Sequence, residues 1–494
     1  MKTTQVFYDI PAGPLIEKYA GKNIEFLTPE EKTAAIDKAA GELVERVKTG
    51  EIWFPFQKYF RGTPAILFAN LKTIDLPVVR EPYRLRSYYP QYGSYLPPKF
   101  RGFPTIIAGT RNTYDTADVL SDHFIEDVRL KAKRYDQIQS ILSCWTSTFC
   151  LKEFMKVALN KNRVSPQTLR DSIYESTPET KIFNPTWARA LIKLVMGPDV
   201  AGKKWLDISA GWGDRLLAAM SLNMDYTGYD PNIELNPGHS AMIAMFGDAK
   251  RHRVIYEPFE KAIVPGGPYD VVLTSPPYYT VEEYNVGQEG QSIVSYPEFN
   301  QWMVWFLFTA LSNAWSNLKE GGYLILHLGD SKTIHTSEPA NIYIENFLPG
   351  SSWEGVIGLQ GEAGFARPVW VWKKLAPTSP RTVWDPLGGT DYVPGQKQRG
   401  PIGYANRTLY NTYPELQAEL SNFYGAKYAP NYSIRKTNAV AIRDHVALAN
   451  REIPREAIDK ILSDDLMISS LLEAIGIEKT IIWGTAMIKL AFPR

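Results

Sequence analysis

Cysteine is nearly missing from this chain. Cys144 and Cys150 are the two in 494 residues. That excludes a disulfide framework and points to a reducing compartment. Histidine is scarce as well: His123, His239, His252, His327, His335 and His445 are scattered. With no ligand spacing among them, no metal site is expected. No apolar run reaches the roughly 20 residues of a membrane helix. The most apolar stretch, Trp302 to Leu311, reads as a buried helix. The N-terminus, MKTTQVFYDIPAG, lacks the apolar core of a secretory signal. A cytoplasmic, intracellular protein with no membrane partner is therefore expected. Net charge is also nearly absent, at +1. This rules out a histone-like polycation but leaves room for a local basic groove. No nucleophile elbow supports a Ser–His–Asp triad.

What is present is a change of pattern along the chain. Residues 29–48 read as a helix, with Pro29, Glu30 and Glu31 suited to its N-terminus. Residues 50–110 hold short apolar runs between Pro, Gly and Tyr, such as Ala65 to Ala69 and Thr105 to Ala108. Short strands and long loops are expected there. From Thr116 to about Ile173 the pattern is helical. Residues 181–376 then alternate: strands at 205–208, 226–229, 253–256, 269–273 and 323–328, helices from Asp214 and over 302–318, and a closing strand pair at 353–359 and 367–374. Such alternation predicts a doubly wound, largely parallel α/β sheet. Three units are expected: 1–180, 181–376, and a Pro- and Gly-rich linker with a helical region over 377–494. Helix starts are expected near Pro414 and Pro454.

The segment from Trp205 to Leu217 carries the first functional signal. A strand ends in Asp207, a turn of small residues follows, and a helix begins. Gly211 and Gly213 permit a tight turn and let a ligand approach bare backbone. Leu216 stands where nicotinamide-binding folds place a third glycine, and no GK[ST] follows. Alone, the turn could serve a nucleotide or only strand–helix packing. The second strand, ending in Asp230, favours a nucleotide, because an acid about 20 residues after the turn is where Rossmann-like folds hold a ribose diol.

The fourth strand ends in Ser275-Pro276-Pro277-Tyr278-Tyr279. Two prolines fix torsions and remove amide donors, so the neighbouring carbonyls can face a cleft. With the Ser275 hydroxyl and the Tyr278 ring, the set matches a planar base bearing an exocyclic amine. Positioning such an amine against an electrophilic methyl needs little acid–base machinery.

On these residues the chain resembles S-adenosylmethionine (SAM) dependent methyltransferases that modify exocyclic amines of DNA bases. The resemblance covers residues 181–376 and implies a Rossmann-like core, with an α+β N-terminal domain and a helical C-terminal region beside it. It implies SAM as cofactor, with Asp207, Ser209, Gly211 and Gly213 forming the binding turn and Asp230 the ribose acid. Phe183, Asn184 and Pro185 match the upstream F-x-P motif at the methionine end, and Glu257 matches the adenine-contacting position. Ser275, Pro276, Pro277 and Tyr278 match the catalytic motif. Ser209 departs from the glycine common at that place. The D-x-x-A-G-W-G turn is similar to phage-encoded members, which suggests a viral source.

Serine before Pro-Pro resembles the cytosine-N4 enzymes, so cytosine N4 is the expected acceptor, ahead of adenine N6 and an RNA amine. DNA is the expected partner, as a duplex with a flipped base or as a single strand. The span from Asp230 to Ser275 is too short for a target-recognition domain. Recognition is expected from residues 1–180, where Arg80 to Tyr89 interleave Arg and Tyr, rather than from the C-terminal helices, which suit an oligomer or protein partner. Arg129 to Arg134 and Lys397 to Arg407 are further basic stretches. The rival reading is a non-catalytic scaffold that keeps the fold for binding.

Overall fold

Helix α1 (Ala12–Ala20) is followed by α2 (Pro29–Lys48), which spans the residues expected for it. Its start is set locally. The Thr28 hydroxyl accepts from the Glu31 amide at 3.2 Å, and Glu31 accepts from the Thr28 amide at 2.9 Å. This reciprocal box satisfies two donors that the first turn leaves unpaired. The structure is a computed structural model and describes residues 7–80, 84–85, 104–107, 114–134, 137–284, 290–331, 333–348, 350–360, 365–376 and 413–428. Most of the Arg80–Tyr89 run, the 377–412 linker, the Lys397–Arg407 stretch and the helix expected at Pro454 lie outside the described residues.

Ala65 to Ala69, expected among short strands, belong instead to helix α3 (Pro64–Thr73). Pro64 at its first position has its torsion preset for a helix. Leu67, Phe68 and Leu71 then share one buried face. Helices α4 (Asp122–Arg129), α5 (Ile141–Thr146), α6 (Thr148–Asn160) and α7 (Pro166–Ser176) follow. One apolar core joins α1, α2, α5, α6 and α7.

The central sheet has ten strands. We label β1 (Val78–Val79), β2 (Thr105–Ile107), β3 (Lys204–Asp207), β4 (Asp225–Tyr229), β5 (His252–Ile255), β6 (Tyr269–Thr274), β7 (Leu318–His327), β8 (Ser351–Gln360) and β9 (Phe365–Lys374). Their order is β1-β2-β8-β9-β7-β6-β3-β4-β5, with Arg84–Leu85 pairing beside the start of β9. Strands β5, β4, β3, β6 and β7 are parallel neighbours, and β9 runs antiparallel to both β7 and β8. The expected strands of residues 181–376 are all present. Those of the N-terminal third, β1 and β2, extend this sheet at its β8 edge.

Successive side chains alternate between two cores. Trp205, Val271, Leu273, Ile325, Val369 and Val371 enter one. Leu206, Val272, Leu324, Leu326, Trp370 and Trp372 enter the other. A sheet buried on both faces needs helices on both, which explains its continuous apolar strands. Helices α8 (Pro185–Met196), α9 (Asp214–Ser221) and α10 (Asn236–Phe246) pack in this core. The helix expected over 302–318 divides into a π-helical stretch, Trp302–Phe308, and α11 (Thr309–Asn317). The Thr309 hydroxyl donates to the Val304 carbonyl, five residues back, at 2.9 Å. Helices α12 (Ser337–Phe347) and α13 (Pro414–Tyr428) complete the described set. Trp305 donates to Glu419 at 2.6 Å, so α13 seats on the π-helical stretch. Among the described residues no helix is long and apolar enough to cross a membrane.

The chain runs outward from β3 to β4 and β5, then returns to lay β6 on the other side of β3. That reversal opens a crevice at the carboxyl ends of β3 and β6, where α/β sheets bind ligands.

A buried charge network ties the N-terminal helices to the segment entering this crevice. Arg129 holds both oxygens of Asp122 at 2.7 Å, Glu179 at 2.7 Å and the Thr180 carbonyl at 3.0 Å. Arg170 holds Glu126 at 3.0 Å and also pairs with Glu179. Burial, then the neighbouring Asp122, push the Glu126 carboxyl up. Removing one partner leaves buried charges uncompensated. Arg129→Met is expected to lower stability by about 3–5 kcal/mol in chemical denaturation. A loss under about 1 kcal/mol, the scale of a surface pair, would show that the network is solvated.

Candidate functional site

At the tip of β3, Asp207 is fully buried. It accepts from the Ser209 amide at 3.2 Å, the Thr274 hydroxyl at 2.9 Å, Arg215 Nε at 2.7 Å and the Tyr226 hydroxyl at 2.7 Å. One carboxylate therefore binds the turn, α9, β4 and β6 together. Gly211 and Gly213 both take positive φ, 56° and 86°. A Cβ on Gly213 would lie 2.7 Å from Met242 Sδ. Gly213 thus serves the approach of α10. Gly211 faces the crevice. His239 Nε2 lies 3.0 Å from the Gly211 carbonyl, and its Nδ1 lies 3.0 Å from the Tyr256 hydroxyl. Burial pulls the His239 pKa down to about 4, so a neutral ring props the turn.

Asp230 follows β4. Its Oδ2 accepts from the Gly211 amide and its Oδ1 from the Asn232 amide, each at 2.9 Å. Burial pushes this carboxyl up to about 6, against the pull of those two amides.

At the end of β6 the two tyrosines diverge. Tyr279 takes a positive φ of 52°, an uncommon backbone state for a bulky residue. Its ring goes to Phe299 and Trp302, with centroids at 5.4 and 5.6 Å. Tyr278 turns the other way, and its hydroxyl lies 2.6 Å from His327 Nδ1. Ser275 Oγ lies 3.0 Å from the same nitrogen and 3.3 Å from the Tyr278 hydroxyl. Burial raises the Tyr278 pKa and holds that of His327 well below its ordinary value. The phenol therefore keeps its proton and donates to a neutral imidazole. Ser275 can donate to the phenol oxygen, which leaves its own lone pairs for a ligand.

The segment entering the site is fixed from outside. Asp118 accepts from Asn184 Nδ2 at 3.2 Å, the Thr186 amide at 3.2 Å and the Thr186 hydroxyl at 2.7 Å. It supplies from a distant segment the cap that α8 lacks locally, ahead of Pro185 at the first helical position. Burial pushes Asp118 up to about 7.

These elements enclose a cavity of about 580 Å³, within the range of small-molecule sites. Of the residues expected from the sequence, Phe183, Ser209, Gly211, Asp230, Ser275, Pro276, Pro277 and Tyr278 line it. Asp207 and Gly213 stand behind the wall as its support, and Asn184 and Pro185 set the start of α8. Glu257 is exposed and outside the lining; on the same loop, Glu260 lines the cavity and accepts from Tyr296 at 3.1 Å. Sequence reasoning missed His327, Asp214 and Arg215, all in the wall. His327 was detectable as the last residue of the strand beside β6. Among the described residues no group of three or more His, Cys, Asp or Glu side chains is placed to hold a metal.

The strand order, with parallel β5-β4-β3-β6-β7 and an antiparallel β9, defines a Rossmann-like fold of the class I SAM-dependent methyltransferase kind. No family model and no curated protein matches the chain. Among solved structures, it is similar to TrmN from Thermus thermophilus at 18% identity, over 39% of this chain and 49% of that one, with a TM-score of 0.28. It thus spans about half of that protein's length. It is similar to magnesium protoporphyrin IX methyltransferase with bound SAM from Synechocystis PCC 6803 at 11% identity, over 38% of this chain and 79% of that one, TM-score 0.28. A third is the Burkholderia thailandensis 1,6-didemethyltoxoflavin-N1-methyltransferase, at 13% identity over 39% and 78%, TM-score 0.29.

His327 is expected to stay neutral where an ordinary histidine, near 6.5, would titrate. In a histidine-resolved NMR titration from about pH 8 to about pH 5.5, its ring shifts should not move. A midpoint near 6.5 would mean that the imidazole is solvated and the hydroxyl cluster open.

Proposed function

We propose that this protein transfers a methyl group from SAM to the exocyclic amine of a DNA base, with cytosine N4 as the acceptor. The observation that carries this reading is the joint presence, in one cavity at the sheet's switch point, of the Asp230 carboxylate, the bare Gly211 turn and the Ser275-Pro-Pro-Tyr278 loop. The residues present fit the cofactor. Asp230 can take ribose hydroxyls, Gly211 offers backbone without a side chain, and Asp214 Oδ1 is a buried anionic atom with no hydrogen-bond partner among the described residues. SAM, when bound, supplies an electrophilic methyl on a sulfonium.

The chain's own residues do the rest by holding the amine. Ser275 Oγ and the carbonyl preceding the prolines accept the two amine hydrogens, which leaves the nitrogen lone pair to point at the methyl. Tyr278 presents its ring face to the base and is kept in place by His327. A base within a duplex cannot reach this cavity, so it must be flipped out or come from a single strand. Arg134, Lys181 and Arg367 also line the cavity and suit the phosphates beside a flipped nucleotide. Target reading falls to residues 1–180 in this proposal. Helix α13 and the chain after it offer a protein-contact surface instead.

Calorimetry should show SAM binding to the wild-type chain. Asp230→Ala should weaken it by about 1–3 kcal/mol, the range for hydrogen bonds to a charged group. A folded wild type that binds no SAM would sink the proposal.

Nucleosides from DNA of cells expressing the protein should contain N4-methylcytosine by mass spectrometry. Tyr278→Ala should lose most of that product while SAM affinity stays near wild type. N6-methyladenine in its place would move the acceptor to adenine. Methylation confined to RNA would replace the substrate. No methylated nucleoside, with SAM bound, would favour a scaffold.

A further inference from the structure

Four aspartates surround the Gly turn, and they are not equivalent. Asp207 has both oxygens engaged inside the protein and does not line the cavity. Asp118 caps α8. Asp230 takes a backbone amide on each oxygen at the tip of β4. Asp214 is the first residue of α9, lines the cavity and is 2% exposed. Its Oδ1 has no hydrogen-bond partner among the described residues. The cation next to it in sequence does not serve it: Arg215 Nε is on Asp207, and its other arm is on the Ser209 carbonyl. A buried carboxylate oxygen left like this carries a desolvation cost that a ligand cation would offset.

The place of Asp214 identifies that cation. Asp230 and Asp214 stand at opposite ends of the Gly turn, one after β4 and the other at the start of α9 beside Phe183, whose amide faces it. SAM has a ribose at its nucleoside end and an α-ammonium on its amino-acid tail. A ligand whose ribose lies on Asp230 and whose sulfur faces the Ser275 loop carries its tail past the turn. We propose that Asp214 Oδ1 receives the α-ammonium group of the cofactor, a role closed to Asp207 because its oxygens are already engaged. This rests on the SAM reading above and adds a residue that the motif resemblance does not assign.

The test compares two neutral-sulfur ligands, S-adenosylhomocysteine and 5′-methylthioadenosine. Both keep the adenosine and thioether, and only the first has the amino-acid tail. By calorimetry, Asp214→Asn should weaken S-adenosylhomocysteine binding about tenfold or more. It should leave 5′-methylthioadenosine within about twofold, a difference too small for a lost charged hydrogen bond. Unchanged S-adenosylhomocysteine binding overturns the proposal. So does an equal loss for both ligands, which marks a structural role. If wild-type protein binds neither, the SAM reading falls first, and the two failures are thereby distinct.

A second measurement needs no variant. Burial pushes Asp214 up to about 6, with Asp118 and Asp122 adding negative charge nearby and Arg215 opposing them. An ammonium contact requires the charged carboxylate. The affinity of S-adenosylhomocysteine relative to 5′-methylthioadenosine should therefore fall as the pH drops through about 6. Asp230 titrates in the same range, but both ligands share its ribose, so it cancels in the ratio. A ratio that stays flat across that range overturns the assignment.

Discussion

The site depends on the saturation of one buried carboxylate. Asp207 takes donors from the turn after β3, from α9, from β4 and from β6. Each contact fixes an element that carries a wall of the cavity. The Ser209 amide sets the turn, and Arg215 sets the first turn of α9. Thr274 holds the residue before Ser275. A charge so deep is tolerated because both oxygens are satisfied, one of them by a guanidinium. The cost is functional: an acid engaged inside the protein is not free to meet a ligand, and that work passes to Asp214 and Asp230.

The second constraint concerns hydrogens rather than charge. Ser275, Tyr278 and His327 form a cluster of two hydroxyls and one imidazole. With the ring neutral, the hydroxyl hydrogens have inward acceptors and the serine lone pairs do not. The cluster thus presents an acceptor to the cavity, as an amine substrate requires. The positive φ at Tyr279 separates the two tyrosine rings and lets only Tyr278 join it. Strain at such a position persists because its surroundings hold it, here by a hydrogen bond from Tyr279 to the Pro297 carbonyl.

The N-terminal helices are part of the same device. Their charge network ends at Glu179 and Thr180, just before Phe183 in the cavity wall. Asp118 then starts α8 on the far side of Phe183. The aromatic residue is held between two buried polar anchors, both from segments outside the Rossmann-like core. The strands β1 and β2 join the core sheet itself, so the two regions share backbone hydrogen bonds as well as side chains.

Much of this was legible along the chain. The capping box at Thr28 and Glu31, the strand ends at Asp207 and Asp230, and the Ser275-Pro-Pro-Tyr278 loop are local: period-two apolar runs and turn residues encode them within a few positions. Ala65 to Ala69 misled because a short apolar run suits either element, and only Pro64 and the packing of α3 decide. Beyond that reach, His327 meets Ser275 across 52 positions and Asp118 meets Thr186 across 68. Those meetings follow from which strands lie side by side and which helix end lacks a cap. The sequence by itself determined the strands, the turn and the acids at their tips. The tertiary structure alone decided which acid is engaged inside the protein and which faces the cavity, because buried donors are shared among competing carboxylates only once the elements have packed.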